Sequence, residues 1–490
     1  MIGFHRKLGI AIFGSSLCAV LGSCNVGPDY HRPEINMLAA YKSPTTRSAT
    51  VSDISAEWWR FFGDEELDKL EEAALSTSPD LQAAMARVVQ ARAAARIVGS
   101  QFYPVINANP SATWSRANPT TGGPAVGATG FPHQLKNVTI PLDLSYEIDV
   151  WGRVRRSYEA ANAQVQASAD DYGVVLLTLV ADVAQDYFTL RFLDTQDELL
   201  SGTVESYRKQ VELTQKQVKA DLASRITEQQ AAALLNSTIS QQVDVRRQRA
   251  DTEHALAILL GRAPSELTIA VRPLNVAPPA VPAGLPADLL RQRPDVAEAE
   301  QNLIAANAQI GVATAQLYPA FQLTGAAGFE SPNFANAVDW QQRFWSLGPS
   351  ASIPIFNGGK LTAAVAQAKA RYDELTATFR GSVLGAIRDV EDSLTDLHMR
   401  ADQAAAQDLA VNASREYLRL ADLQYRSGLA TYLQVVDAER TLLSNELLAV
   451  QIRSQRLIST VVLIKSLGGG WSPQGTVNAP DPLPVERPEK

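Results

Sequence analysis

The sequence predicts a mainly α-helical, internally duplicated fold that also carries four β-strands of membrane-crossing length. Three features point to it: two stretches of more than a hundred residues without proline, short motifs that recur at fixed spacing, and segments in which apolar and polar residues alternate.

The helices occupy most of the chain. No proline lies between Pro141 and Pro264 or between Pro354 and Pro473, although the 490 residues include 26 prolines. Both stretches are rich in Ala, Gln, Leu, Glu and Arg, which lose little freedom in a helix. Residues 220–225 and 427–430 break the pattern and divide each stretch into a helical hairpin, about 152–260 and about 358–467. The longest arm, 154–219, would extend about 95 Å at about 1.5 Å per residue. On length alone, a soluble coiled coil is the simpler reading of such a helix.

The two halves of the chain match. Pro79-Asp80 and Tyr103-Pro104 recur at one common offset as Pro294-Asp295 and Tyr318-Pro319. Asp182-Val183, Leu190 and Leu260-Gly261 recur at a second common offset, smaller by eight, as Asp389-Val390, Leu397 and Leu467-Gly468. The second copy is therefore shorter between the Tyr-Pro pair and the long helix. The repeats span 79–285 and 286–470, preceded by a segment 24–78 and followed by a tail 471–490.

That shortened interval holds the strands, expected within 104–150 and 319–356. Val138, Ile140, Leu142, Leu144, Tyr146, Ile148 and Val150 alternate with Thr139, Pro141, Asp143, Ser145, Glu147 and Asp149. Ile106, Ala108, Pro110, Ala112 and Trp114 form a second stripe, expected as a single strand. In the later copy Phe321, Leu323, Gly325, Ala327 and Phe329 form one stripe, and Trp345, Leu347, Ala351, Ile353 and Ile355 another. Each is about ten residues, the span of a tilted transmembrane strand, although a half-buried soluble sheet gives the same alternation. Trp114, Trp151, Trp340 and Trp345 lie in or beside these segments, where an interfacial aromatic girdle would be. Residues 117–133 and 331–343 would be outer loops. No helical span of 18 apolar residues is expected after the N-terminal leader, so any membrane crossing would have to use strands. Four strands cannot close a barrel, whose smallest membrane forms use about eight, so an oligomer is required.

The leader is itself informative. His5, Arg6 and Lys7 precede an apolar run from Leu8 to Leu21, ending in Leu21-Gly22-Ser23-Cys24. Residues 1–23 read as a secretory signal, and the small residues before Cys24 resemble a lipobox that would make this cysteine the lipid-bearing first residue. Cys18 leaves with the signal, so no disulfide is possible afterwards. Asn25 stands where an inner-membrane lipoprotein commonly has aspartate, which favours outer-membrane lipid as the destination. The formal charge of −8, or −10 once Arg6 and Lys7 are removed, argues against a nucleic-acid-binding surface.

Cys24-Asn25-Val26-Gly27-Pro28-Asp29-Tyr30-His31-Arg32-Pro33, followed by Trp58-Trp59, Phe62 and Leu67, resembles the start of the outer membrane factor (TolC-like) family, in particular its NodT-type efflux lipoproteins. Leu289-Leu290-Arg291-Gln292-Arg293-Pro294-Asp295-Val296, continuing through Ala305 to Gly311 and Tyr318-Pro319, is similar to that family's most distinctive motif. The resemblance implies a homotrimer whose protomers each give four strands to a twelve-stranded outer-membrane barrel, continued by a helical tunnel through the periplasm. It also implies a periplasmic adaptor and an inner-membrane transporter, usually of the resistance-nodulation-division type, with this chain as a passive exit duct for drugs or other toxic compounds. The family's constriction falls on Tyr432 to Arg440, which assigns Leu433 an apolar plug, Asp437 an acidic ring and Arg440 a tie to Asp437 or a neighbouring helix. The first-copy equivalents, Ile226, Gln230 and Ala233, keep the apolar position and lose the charges. The adaptor would meet the hairpin tips near Arg225 and Gly428.

Enzymatic signals are missing. His31, His133, His254 and His398 stand at no metal-ligand spacing, no G-x-S-x-G or dinucleotide fingerprint occurs, and Gly358-Gly359-Lys360-Leu361 lacks the rest of a phosphate loop. No catalytic residue, cofactor or metal is expected. Rival readings are the same duct serving heavy-metal efflux or type I protein secretion, a lipid-anchored coiled-coil scaffold without a pore, and, remotely, an envelope enzyme.

Overall fold

The computed structural model describes residues 25–35, 41–42, 55–116, 134–274, 276, 278–279 and 292–471. The expected signal, Cys24, the loop 117–133, residues 289–291 of the long motif and all of the tail beyond Trp471 lie outside them. The chain forms two compact units, one of residues 1–33, 90–166 and 300–378, the other of 34–89, 167–299 and 379–490.

The described elements, in order, are α1 (Glu65–Thr77), α2 (Pro79–Gly99), β1 (Val105–Ala108), β2 (Ser111–Arg116), β3 (Gln134–Ile148), α3 (Arg153–Lys219), α4 (Arg225–Leu259), α5 (Pro294–Ala315), β4 (Ala320–Ser331), β5 (Arg343–Ser352), α6 (Lys360–Arg426) and α7 (Tyr432–Ser466). The duplication governs their lengths. Helices α3 and α6 both have 67 residues and α4 and α7 both have 35, and both pairs stand at the larger-numbered repeat's single offset from the first. Helices α2 and α5, and strands β1 and β4, begin at the offset set by the two Tyr-Pro pairs. The shortening falls where the second copy joins its strands by 332–342 instead of 117–133, and where β5 has 10 residues against 15 in β3.

In the first unit the strands form one antiparallel sheet, in which β3 pairs with β1 and β2 on one side and with β4 on the other, and β4 pairs with β5. The register places Ile106 opposite Leu144 and Ala112 opposite Val138, then Leu142 opposite Ala327 and Ala327 opposite Trp345. Directly opposed residues share a face, so the apolar stripes read from the four segments become one apolar face. Asn107, Asp143, Ala326 and Ser346 share the other.

The expected first strand is two, and proline is the reason. Pro141 accepts from the Asn109 N–H at 3.4 Å but has no N–H to return, so the ladder breaks between β1 and β2 while its register continues. On the other side of Pro141 stands Gly328, where a Cβ would lie 2.1 Å from the Ile140 carbonyl oxygen, so only glycine lets β4 pass. Strand β3 ends at Ile148 and β5 at Ser352, which leaves Val150, Ile353 and Ile355 outside the sheet; Pro354 withholds the N–H that β5 would need to continue.

The strand-to-helix joint is built by Asp149. Its two carboxylate oxygens accept from the backbone N–H groups of Val154 and Arg155 at 3.1 and 3.0 Å, which satisfies two open donors of α3. Arg153 returns a bidentate pair, 2.7 and 2.6 Å, to Glu147 on β3. Trp151, expected in the girdle, donates its indole N–H to the Pro319 carbonyl at 2.8 Å and stacks on Tyr318 at 4.7 Å. Trp114, Trp340 and Trp345 remain exposed.

The N-terminal motif lies along α5. The Val26 N–H reaches the Trp151 carbonyl, the Asn307 amide donates to the Pro28 carbonyl at 2.9 Å, Tyr30 donates to Glu300 at 3.1 Å and Arg32 pairs with Glu300. Gly27, at φ +100°, sits so close to Gly311 that an added Cβ would be 2.5 Å from its Cα.

The second unit buries Trp58, Trp59, Phe62, Leu67, Tyr187 and Phe188, with Phe62 and Phe188 rings 4.8 Å apart. Asp64 caps α1 and also accepts from Tyr187 and Arg272, both at 2.7 Å. Arg191 is only 1% exposed, yet it donates to Asp194, Glu66 and the Ala270 carbonyl at 2.8, 2.6 and 2.7 Å. From the long motif, Arg293 bridges Asp295, Asp389 and the Ser466 carbonyl. Helices α3 and α7 each contain an 18-residue window of mean hydropathy 1.4, half of it buried in the fold. These windows correct the expectation that no helical span of 18 apolar residues follows the leader. Their burial identifies them as packing surfaces, with Val183, Leu190, Val461 and Ile464 inaccessible.

Replacing Arg191 by Leu leaves the inaccessible Asp194 short of a donor; we expect a loss of about 3 kcal/mol. Asp149→Ala removes one capping side chain and should cost about 1 kcal/mol. Guanidinium unfolding followed by helical circular dichroism ranks the two.

Candidate gate at the helical hairpin turns

The two hairpin turns belong to the second unit and share one local geometry. Helix α3 is followed by Asp221 at φ 56°, helix α6 by Gly428 at φ 72°, and the two positions match in the repeats. In each turn the next residue closes a long backbone bond to the last helical turn, Leu222 N–H to the Gln217 carbonyl at 2.8 Å and Leu429 N–H to the Gln424 carbonyl at 2.9 Å. This is the left-handed cap that satisfies carbonyls at a helix end. Glycine accepts it without strain and aspartate is among the few other residues that do. Ser224 then caps α4 by accepting from the Ile226 N–H at 3.2 Å, whereas Thr431 makes no side-chain cap to α7.

Both turns end in an exposed leucine, Leu222 at 79% and Leu429 at 81%. Arg225 and Gly428 are exposed beside them. The two leucines occupy matching positions of the repeats, a signal the sequence carries.

The first three turns of α7 divide cleanly by face. Tyr432, Val435, Val436 and Ala438 are buried, the first three in a cluster with Tyr207 of α3 and Ala231 and Leu234 of α4. Leu433, Asp437 and Arg440, at i, i+4 and i+7, form an exposed stripe. Ile226, the first-copy counterpart of Leu433, is likewise exposed. Asp437 accepts from the hydroxyl of Tyr417 on α6 at 3.1 Å, and the carboxylate raises the phenol's pKa. Among the described residues Arg440 forms no ion pair with Asp437, so within one protomer the hydroxyl of Tyr417 has the place expected for the arginine. No charged residue stands three or four positions from Tyr417 to mark it in the sequence; the contact exists because α6 and α7 pack across the turn. Glu439 lies between the helices, its Oε2 buried and without a hydrogen-bond partner. No group of three or more His, Cys, Asp or Glu side chains suited to a metal occurs among the described residues.

The family model of the outer membrane efflux protein matches residues 70–262 and 285–469, one block for each repeat. The chain belongs to the outer membrane efflux protein family. It is similar to the pyoverdine export outer membrane protein OpmQ of Pseudomonas aeruginosa, with 34% identity over 93% of this chain and 96% of that protein. Among solved structures it resembles the outer-membrane channel OprN (31% identity, TM-score 0.84, 91% of this chain and 100% of that one). It also resembles the CmeC outer membrane channel of Campylobacter jejuni (25% identity, TM-score 0.86, 92% and 96%). The protein is an outer-membrane efflux channel that reaches into the periplasm, of a family of ducts rather than enzymes.

The left-handed caps of the channel give a direct check on the turn geometry. We expect Gly428→Ala to destabilise the hairpin by about 1 kcal/mol and Asp221→Gly to stabilise its counterpart by a few tenths to about 1 kcal/mol, read as opposite shifts in thermal unfolding of the helical signal.

Proposed function

We propose that three copies of this chain close a twelve-stranded barrel and form the passive exit duct of a tripartite efflux pump, working with a periplasmic adaptor and an inner-membrane transporter of the resistance-nodulation-division type. The observation that carries the trimer is the pair of open sheet edges. One protomer ends in β1 and β2 on one side and β5 on the other, with no partner strand for either among the described residues. In hydrocarbon each unpaired backbone group costs several kcal/mol, so the edges must be paired by neighbouring copies. The continuous apolar face supplies the lipid-facing surface, and the polar face supplies a wet lumen.

In this reading a lipid on Cys24 anchors the chain, and the contacts of Val26, Pro28 and Tyr30 with Trp151, Asn307 and Glu300 fix where the anchored segment starts. The helices form the periplasmic tunnel, and the hairpin tips near Arg225 and Gly428 meet the adaptor, with Leu222 and Leu429 as their apolar contacts. The gate lies on α7. Three copies of Leu433 form an apolar plug, and three of Asp437 an acidic ring that favours cations. Tyr417 holds Asp437 within a protomer, which leaves Arg440 to engage a neighbouring copy. OpmQ is named for pyoverdine export; the cargo of this chain is set by the transporter that feeds it.

Planar-bilayer recording of the purified full chain tests the gate. Asp437→Ala and Arg440→Ala should each raise the open probability, and Asp437→Ala should lower cation preference severalfold; wild-type closure in both variants overturns the assignment. Deletion in the native host should raise susceptibility to at least one class among antibiotics, dyes, solvents and metal salts, and the pattern across those classes identifies the cargo.

A further inference from the structure

Glu439 lies one helical face away from the proposed gate stripe and is not used by it. It lines a cavity of about 360 Å³ whose other walls include Thr203, Ser206 and Tyr207 of α3, Leu418 of α6, and Leu443 of α7. Its Oε2 is buried without a hydrogen-bond partner, and no ion pair to it occurs among the described residues. The surroundings are mostly apolar, aromatic or acidic. On α3 its charge acts on the Tyr207 phenol, and Glu198 stands at the cavity wall. From α6 it meets the field of Asp422, while Arg415 is engaged by Glu446 at 2.8 Å. On α7 itself Tyr432 and Glu446 are near, and Arg440 is the local cation, acting on Tyr207. Helix α4 gives Ala231 and Leu234 to the adjoining cluster and no charge to it.

We propose that Glu439 is a proton-operated latch: neutral, it packs α7 against α3 and holds the tip shut; ionised, it draws water into the cavity and loosens the gate-bearing helix. The proposal rests on the reading that α7 carries the gate. Burial, and then the charge of Asp422, push the Glu439 carboxyl up from 4.5 to about 7. The sign follows from linkage. Below the ordinary carboxylate range the group is neutral whether packed or exposed, and packing is at full strength. As pH rises toward 7 the exposed form gives up its proton while the packed form must keep it, so packing weakens, and above that range it is weakest. The two phenols do not alter the direction, since burial raises both, Tyr432 to about 12.

The test is hydrogen exchange of residues 432–446 in the detergent-solubilised full chain from pH 5 to pH 8, corrected for intrinsic exchange, beside bilayer recording over the same range. In the wild type we expect protection of this segment to fall by about tenfold or more, the factor of one pKa unit, and open probability to rise with it. Glu439→Gln, neutral at every pH and nearly isosteric, should keep protection high and flat, while Asp437→Ala should retain the wild-type pH dependence of exchange. Flat protection in the wild type, or an unchanged pH dependence in Glu439→Gln, overturns the latch whatever the conductance does. A pH-dependent exchange abolished by Glu439→Gln, with wild-type closure in Asp437→Ala and Arg440→Ala, supports the latch and overturns the gate stripe instead.

Discussion

A β-strand in hydrocarbon cannot leave its backbone donors and acceptors unpaired, and this constraint shapes the chain more than any single side chain does. The sheet of one protomer satisfies its inner strands β3 and β4 and leaves both outer edges open. The ladder is sensitive to each missing donor, as Pro141 shows by splitting one expected strand into β1 and β2 without shifting their register. Gly328 compensates on the opposite side, where any side chain would strike the backbone of β3. Asp149 extends the same logic to the next element, since its carboxylate satisfies the open N–H groups at the start of a 67-residue helix.

Duplication explains why one short sequence pattern suffices to build so long an assembly of helices. Both ends of α3 and α4 recur at a single offset as the ends of α6 and α7, and both turns use the same left-handed cap. Within that frame the copies differ at many positions, those of the proposed gate among them. Position 437 is aspartate where its counterpart 230 is glutamine, position 440 is arginine where 233 is alanine, and the serine that caps α4 has no equivalent bond at α7. Helix α7 therefore begins without the side-chain cap bond that α4 has, and its first turns carry Asp437, Glu439 and Arg440 where those of α4 carry Arg225 and Glu228.

Much of this was legible in the residues. Periodicity located the strands, proline-free composition located the helices, and the constant offset between matching motifs tied the copies together before any coordinates. What escaped depends on contacts between distant segments. The ladder break depends on Pro141 facing Asn109, and the indole bond of Trp151 on the Pro319 carbonyl as its partner. Tyr417 meets Asp437 only because α6 and α7 fold back on one another. The N-terminal motif was recognisable as a pattern, but its physical sense, a strap bonded to Asn307 and packed on Gly311, joins opposite ends of the first unit's sequence.

The placement of α7 makes its two faces antagonists. One face commits Tyr432, Val435 and Val436 to an apolar cluster with α3 and α4, which favours a fixed helix. Beside it, Glu439 is held in a setting that resists its charge, and the proposed latch draws on that setting to release the helix. Leu433, Asp437 and Arg440 face outward and gain nothing from that packing. In the proposed latch, the half-buried Glu439 carboxyl sits where a single proton would shift the balance between a packed and a loosened α7, next to the stripe proposed as the gate.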